Sequence, residues 1–303
     1  MPKSKHRKRP PTPVRVTPAH APDVPAIQAA FEIAKRNPSA AESALLRAQE
    51  IIYDAWEAAK PPARIEKALK ALRVSPLCAD AYLLLAQACR DRTSKAEILR
   101  RGVRAGELAL GPEFFEHEVG NSWGILETRG YMRARCELAL QSWDMGDRDL
   151  AVEHYGELLR LNPNDNQGIR YLLADCYLAL DRHDALADLF AAYPDDSGTE
   201  FAYARALMLF RLHGDTGESR AALTDACTTN GYAQLFLSTG VAMPRPEFDA
   251  ITWGGMDEAI SLAAGQGGEW RRTPGAREWL RTMGAAPAEE ARRRFDERFG
   301  ARR

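Results

Sequence analysis

Apolar residues recur along the chain with the periodicity of helices. From about residue 26 onward they fall at i, i+3, i+4 and i+7, and no stretch sustains an alternation with a period of two. This pattern predicts an all-α fold. Helix-breaking residues separate the apolar blocks, at Ser75-Pro76, Gly111-Pro112, Asn162-Pro163, Tyr193-Pro194 and Asn230-Gly231.

These separators are regularly spaced. Their successive prolines lie 36, 51 and 31 residues apart, and Asn230 follows Pro194 by 36 residues. A period of about 34 residues, interrupted by one insertion of about 17, matches the length of a helix-turn-helix repeat. The spacing predicts a repeat array over residues 26–230. Its insertion near 112–128 is rich in aromatic residues, so we expect it to pack on the array.

The segment from Met132 to Pro163 resembles the tetratricopeptide repeat. The large-small pair of the first helix, the turn, the second helix and the final stop fall on Leu138-Ala139, Gly146, Ala151, Tyr155 and Pro163. The alanines let paired helices approach closely, and glycine tolerates a left-handed turn.

Four further segments share parts of this pattern. Residues 167–194 carry Asp181 where glycine is usual, residues 200–230 give another unit, and residues 45–76 and 79–112 give two degenerate ones. The resemblance implies an α-solenoid of about five tetratricopeptide-like helix pairs.

The periodicity changes after residue 230. Residues 231–283 predict two or three shorter helices that form a C-terminal helical cap, because a repeat stack must cover its last apolar face. Residues 284–303 predict a charged C-terminal helix or tail. The motifs Thr229–Tyr232, Met256–Ile260 and Glu269–Ala276 resemble the C-terminal region of the suppression-of-tumorigenicity 7 family and its bacterial relatives. That resemblance implies a helical-repeat scaffold with no established chemistry.

The tetratricopeptide resemblance also implies a binding surface. In that family the first helix of each pair lines a concave groove that binds a protein or peptide partner. Aromatic and arginine side chains are common at binding hot spots. The predicted partner-binding groove residues are Trp56, Arg90, Arg129, Arg133, Trp143, Arg170, Tyr171, Asp175 and Arg211.

Two interpretations of the arginines remain open. Arg129 and Arg133 lie four residues apart, so both guanidinium groups reach one helix face and can bind a carboxylate or phosphate. Acidic residues of neighbouring helices, namely Glu127, Asp165 or Asp175, can instead pair with them in a structural network. One hypothesis unites these two arginines with Arg170 and Tyr171 in a single site for a peptide carboxylate.

Charge is distributed unevenly along the chain. The formal net charge is −1, but residues 1–22 carry +6, which leaves −7 on the remainder. Residues 1–25 are therefore predicted to form a disordered, basic, Pro-rich tail. An alternative function is association with nucleic acid through this arm, although no aromatic residue is interleaved to stack on bases. The possible contacts are Lys3, Lys5, Arg7, Lys8 and Arg9.

Signals for catalysis, metals and membranes were sought and not found in the sequence. It holds no GxSxG, Walker, GxGxxG or HExxH motif, and Glu116-His117-Glu118 has no second histidine nearby. Its five cysteines form no CxxC pair and leave an odd one out, a pattern that favours a location in the reducing cytoplasm. No apolar run approaches about 20 residues. We expect a non-catalytic, cytoplasmic protein-binding or peptide-binding scaffold, with no cofactor, no metal and no membrane segment.

Overall fold

A computed structural model describes residues 16–117, 119–120, 122–239, 241–244, 251–283 and 285–300. Its regular elements are helices throughout this described part, so the all-α prediction is confirmed. The chain divides into two compact units, Met1–Gln167 and Gly168–Arg303. We call them unit 1 and unit 2 and describe each by itself.

Unit 1 is built from helices whose ends carry the expected stop and cap residues. Asp23, Asn37 and Asp91 accept hydrogen bonds from free N–H groups at helix starts. The helices are α1 (Val24–Arg36), α2 (Pro38–Trp56), α3 (Pro61–Val74), α4 (Ala79–Ala88), α5 (Arg92–Leu110), α6 (Pro112–His117), α7 (Arg129–Met145) and α8 (Arg148–Leu161).

Three helix pairs organise unit 1: α2 with α3, α4 with α5, and α7 with α8. The α7–α8 pair follows the sequence pattern closely. Gly146 ends α7 in the left-handed region, at φ +87°, while Ala139 and Ala151 are fully buried. The residues that carry the tetratricopeptide resemblance therefore have the expected structural roles.

Two glycines of α5 set how closely its neighbours approach. A β-carbon at Gly102 would lie 2.8 Å from Cβ of Tyr82 on α4, and one at Gly106 would lie 2.8 Å from Cβ of Tyr131 on α7. Real β-carbons do not approach so closely. Both helices consequently pack directly on the α5 backbone, which buries Tyr82 and Tyr131.

The insertion packs on unit 1 through aromatic side chains. Phe114 of α6 is buried, and the ring of Phe115 meets that of Tyr131 edge to face at 5.3 Å. The short 3₁₀ turns Ser122–Gly124 and Leu126–Thr128 then lead into α7. These contacts agree with the expectation for residues 112–128.

The described end of the predicted tail also contacts the array. Val16 is buried, Pro18–His20 forms a 3₁₀ turn, and Arg101 of α5 donates to the carbonyl oxygen of Pro18 at 2.9 Å. Cys89 lies against the carbonyl of Val16. Residues 16–23 therefore pack as part of unit 1, whereas the sequence predicted disorder through residue 25.

Unit 2 contains two more helix pairs and four further helices. The pairs are α9 (Ile169–Ala179) with α10 (His183–Ala192), and α11 (Thr199–His213) with α12 (Gly217–Thr229). Asp181 takes the left-handed turn between α9 and α10, at φ +54°, in the place usual for glycine. Aspartate is among the residues that tolerate this conformation. The others are α13 (Gly231–Ser238), α14 (Met256–Arg272), α15 (Ala276–Met283) and α16 (Ala285–Phe299).

The helices after residue 230 pack into the core of unit 2, and their predicted role as a cap stays a prediction. Helix α14 packs against both α9 and α11 and buries Trp270 completely. Helix α16 packs on α13 and α12, burying Ala291 and placing Phe295 edge to face with Phe236 at 5.9 Å. The charged C-terminal helix therefore has one apolar face inside the unit 2 core.

Candidate functional site

The outer face of α7 is the candidate site in unit 1. Positions Arg133, Cys136, Leu140 and Trp143 follow one another at helical spacing, and each is at least half-buried rather than fully enclosed. Leu140 is 39% exposed. The opposite face is buried against α4, α5 and α8. This stripe coincides with the positions that the tetratricopeptide resemblance assigns to a groove.

Arg133 is tied to a buried carboxylate. Its Nε donates to Oδ1 of Asp80 at 2.9 Å, and its Nη2 donates to Oδ2. The Asp80 side chain has no exposed surface. Gln49 also donates to Oδ2, at 2.8 Å. The guanidinium lies 4.9 Å from the ring of Trp56. This arrangement joins α2, α4 and α7 through one charged pair.

The other predicted groove residues of unit 1 have different surroundings. Arg129 donates to the carbonyl of Trp123 at 3.0 Å and lies 5.2 Å from its ring. Trp143 is half-buried beside Arg148, whose guanidinium lies 5.2 Å from the indole. Arg90 is exposed in the connection between α4 and α5.

In unit 2, Arg170 and Tyr171 share one acidic partner. Nε of Arg170 donates to Oδ2 of Asp196, and the Tyr171 hydroxyl donates to the same oxygen at 2.9 Å. The Arg170 guanidinium lies 4.4 Å from the Tyr171 ring and 5.3 Å from that of Tyr193. Burial and the Asp196 charge both raise the pKa of Tyr171. These two residues therefore belong to a compact network at the start of α9.

Arg211 binds α14 of its own unit. It donates to Oε2 of Glu269 at 2.8 Å and to the Thr273 hydroxyl at 2.8 Å, and it reaches Asp181 at 2.9 Å. It also donates to the carbonyl of Leu178 at 2.6 Å. Arg211 thus fastens α14 to α9 and α11.

Asp175 also faces α14. A β-carbon at Gly265 would collide with its Oδ2 atom, and its Oδ1 atom is buried without a hydrogen-bond partner among the described residues. Burial raises the pKa of this carboxyl to about 7, and the charge of Glu269 acts in the same direction. Burial likewise raises the pKa of Glu200 to about 7. The contact between α9, α11 and α14 is rich in acids that are costly to ionise.

Sequence reasoning allowed acidic partners for Arg129 and Arg133 but named Glu127, Asp165 and Asp175, whereas Arg133 binds Asp80. Asp80 opens the apolar run of α4, and Asp196 and Glu269 are distant in sequence from the arginines they bind. An acid inside a strongly apolar block is a usable signal for Asp80, because buried carboxylates require a partner. No comparable local signal marks the other two.

Several predicted site residues lie outside the described part of the chain or in different units. Lys3, Lys5, Arg7, Lys8 and Arg9 lie outside the described residues, as does Glu118 of the Glu116-His117-Glu118 cluster. Arg129 and Arg133 belong to unit 1, and Arg170 and Tyr171 to unit 2. The joint carboxylate site therefore stays a prediction.

Metal-ligand clusters and membrane-spanning helices are both absent from the described residues. No group of three or more histidine, cysteine, aspartate or glutamate side chains is placed to hold a metal ion in the described ranges. None of the helices over these ranges combines the length and apolar character needed to cross a bilayer.

A comparison with family models matches one part of the chain to a repeat family. The tetratricopeptide-repeat family model matches residues 142–209, from the end of α7 into α11. A solved structure described as "Crystal structure of YrrB: a TPR protein with an unusual peptide-binding site" is similar, with a TM-score of 0.44 and 14% identity. The match covers 67% of this chain and 93% of that chain.

No curated protein matches the sequence. The likeness to the suppression-of-tumorigenicity 7 family therefore rests on its sequence motifs and stays a prediction. Residues 142–209 match the tetratricopeptide-repeat model, and the described part of the chain is all-α, with helices packed in pairs.

Proposed function

We propose that the protein is a non-catalytic cytoplasmic scaffold that binds a protein or peptide segment on the outer face of α7. The observation that carries this proposal is the stripe of Arg133, Leu140 and Trp143 left open on that helix. All the other faces of α7 are used for packing within unit 1.

The chemistry of the stripe suits a peptide. Leu140 and Trp143 supply apolar and aromatic surface, and Trp56 extends it from α2. Arginine and tryptophan dominate binding hot spots. Arg133 uses Nε and Nη2 on Asp80, while its Nη1 donates to no acceptor in the described part of the chain. That nitrogen is available to a carboxylate or carbonyl of a bound segment.

Unit 2 is a weaker candidate for the same role. Arg211 and Asp175, which occupy equivalent groove positions, contact α14. Met208, another such position, is buried. A partner would have to displace a helix that buries Trp270, which argues for recognition in unit 1.

Three of the cysteines and one histidine have surroundings that suppress their reactive or charged forms. Burial raises the pKa values of Cys78 and Cys136 to about 12 and that of Cys227 to about 11. These side chains are thiols at neutral pH, and the thiolate is the reactive form. Burial also lowers the pKa of His154 to about 4, so this imidazole is neutral and half-enclosed.

A quantitative pulldown from lysate of the source cells tests the proposal. The bait proteins are the wild type, Leu140→Asp with Trp143→Ala, and the matched control Leu212→Asp, which changes an exposed leucine of unit 2. We expect the α7 variant to recover at least tenfold less of a specific protein partner than the wild type does. Its Tm should stay within about 3 °C of the wild-type value.

The control should retain the partner. Equal recovery by all three baits would refute the use of the α7 face. Recovery that disappears on nuclease treatment would instead favour the nucleic-acid alternative through the basic arm.

A further inference from the structure

A second, apolar groove lies at the other end of α7 in unit 1. It has a volume of about 290 Å³ and is bounded by α2, by the C-terminal end of α5, and by the turn that leads into α7. Leu45, Leu77 and Ala109 line it, with Tyr131 at one end. It is separate from Leu140 and Trp143, which lie in the last two turns of α7.

Large apolar side chains at this groove are open to solvent. Leu46 is 48% exposed, Tyr53 45% and Leu126 59%, and all three line it. Leu46 and Tyr53 come from α2 and Leu126 from the turn before α7, so two different walls contribute exposed apolar surface. Contiguous exposed apolar surface of this kind is typical of an interaction site.

The groove continues along the N-terminal half of α2. A neighbouring cavity of about 460 Å³ shares Leu45, Leu77 and Ala109 with it and extends to Phe31 on α1. The two cavities therefore adjoin one another, and together we call them the channel.

Both walls of the channel carry acidic residues. Glu42 and Glu50 stand on α2, and Glu127 stands on the opposite wall. None of the three forms an ion pair with another residue in the described ranges. Lys35, which lines the second cavity, lies 3.6 Å from Glu32. The rim of the first cavity is therefore negative on both sides of an apolar floor.

We propose that this channel binds an amphipathic helix of a partner protein, with an apolar face at i, i+3 or i+4, and i+7 and with lysine or arginine on both flanks. The apolar face meets Leu46, Tyr53 and Leu126, and the basic flanks meet the glutamates of the two walls. Helices commonly bind apolar grooves in this way. The chain's own arm is a poor occupant, because residues 1–15 contain only Met1 and Val14 as large apolar residues.

This site adjoins the α7 face of the proposed function, because the ring of Tyr53 lies 5.6 Å from that of Trp56. Leu46 and Leu126 do not belong to that face, so each proposal can fail without the other. The test uses a fluorescein-labelled 18-residue peptide with leucines on one helical face and lysines on both flanks, titrated with the full-length protein by fluorescence anisotropy. A scrambled peptide of the same composition and a peptide with glutamate in place of lysine are the controls.

We expect the lysine peptide to bind at low micromolar Kd and both control peptides to bind at least tenfold more weakly. Leu46→Asp and Leu126→Asp should each weaken binding at least tenfold. Glu127→Lys should weaken it about threefold to tenfold and reduce its dependence on salt. Because Leu46 and Leu126 are exposed, both variants should keep the wild-type Tm within about 3 °C.

The matched control is Leu140→Asp, on the α7 face. The proposal would be overturned if Leu140→Asp and Leu46→Asp weakened peptide binding equally. It would also be overturned if the amphipathic lysine peptide bound no better than the two control peptides. Sedimentation of the wild type and of Leu46→Asp tests whether a second copy of the chain occupies the channel. A wild-type dimer that this substitution dissociates would identify the occupant as a second copy of the chain, and would also overturn the proposal.

Discussion

Replacing Arg133 with alanine separates a structural role from a binding role. Asp80 is completely buried, so the substitution leaves a carboxylate in the core without its charged partner. Breaking a buried pair in this way costs about 3–5 kcal/mol. Gln49 still donates to Asp80 at 2.8 Å, and the Arg133 side chain is 26% exposed, so water can enter its place. We therefore expect a loss near the lower limit, about 3 kcal/mol.

For a chain of this length each kcal/mol shifts Tm by about 2–4 °C, so Arg133→Ala should lower Tm by roughly 6–12 °C. Thermal unfolding followed by circular dichroism measures this shift. Arg90→Ala is the matched control, because Arg90 is exposed, and it should change Tm by less than about 1 °C. Combining Arg133→Ala with Asp80→Ala should cost less than the sum of the single substitutions. A Tm unchanged in Arg133→Ala would refute this reasoning and leave Arg133 free for a ligand.

Three other measurements check separate parts of the account. Because the folded state holds the pKa of Asp175 near 7, above its ordinary 3.8, it binds the proton more tightly than the unfolded state does. The wild-type free energy of unfolding, measured in urea, should thus fall relative to that of Asp175→Asn as pH rises from about 4 to 7, by on the order of 3 kcal/mol. A difference between the two proteins that is constant with pH would contradict this. Gly265→Ala should destabilise the protein, because its β-carbon would collide with Asp175. Gly268→Ala lies on the same helix with nothing near its β-carbon, so it should stabilise the protein by up to about 1 kcal/mol. Equal effects of the two substitutions in urea unfolding would contradict the placement of α14. Deleting residues 1–14 leaves a net charge of −6 and should abolish retention on a heparin column at low salt, and unchanged retention would exclude the arm as its cause.

The repeat array could be predicted because its constraints are local. A left-handed turn demands glycine or a tolerant residue, and the chain supplies Gly146 at one turn and Asp181 at the equivalent turn of the next pair. Close helix packing demands small residues, and Ala139 and Ala151 meet this need. Such requirements repeat at a fixed spacing, so a single sequence displays them.

The surroundings of the arginines could not be predicted in the same way. Arg133 binds Asp80 across 53 residues, and Arg211 binds Glu269 across 58. Glu269 is available to Arg211 because α14 packs on α9 and α11, and helix periodicity does not state which surface a later helix covers. The residue types were informative, but their partners depend on tertiary packing.

Site-specific photo-crosslinking tests the central claim most directly. A photo-reactive amino acid placed at Leu140 reports contacts of the α7 face, and the same group at Leu212 reports an equally accessible surface of unit 2. Irradiation in the source cells should yield a discrete crosslinked protein from position 140 and none of that product from position 212. The same product from both positions, or from neither, would contradict binding of a partner on the α7 face.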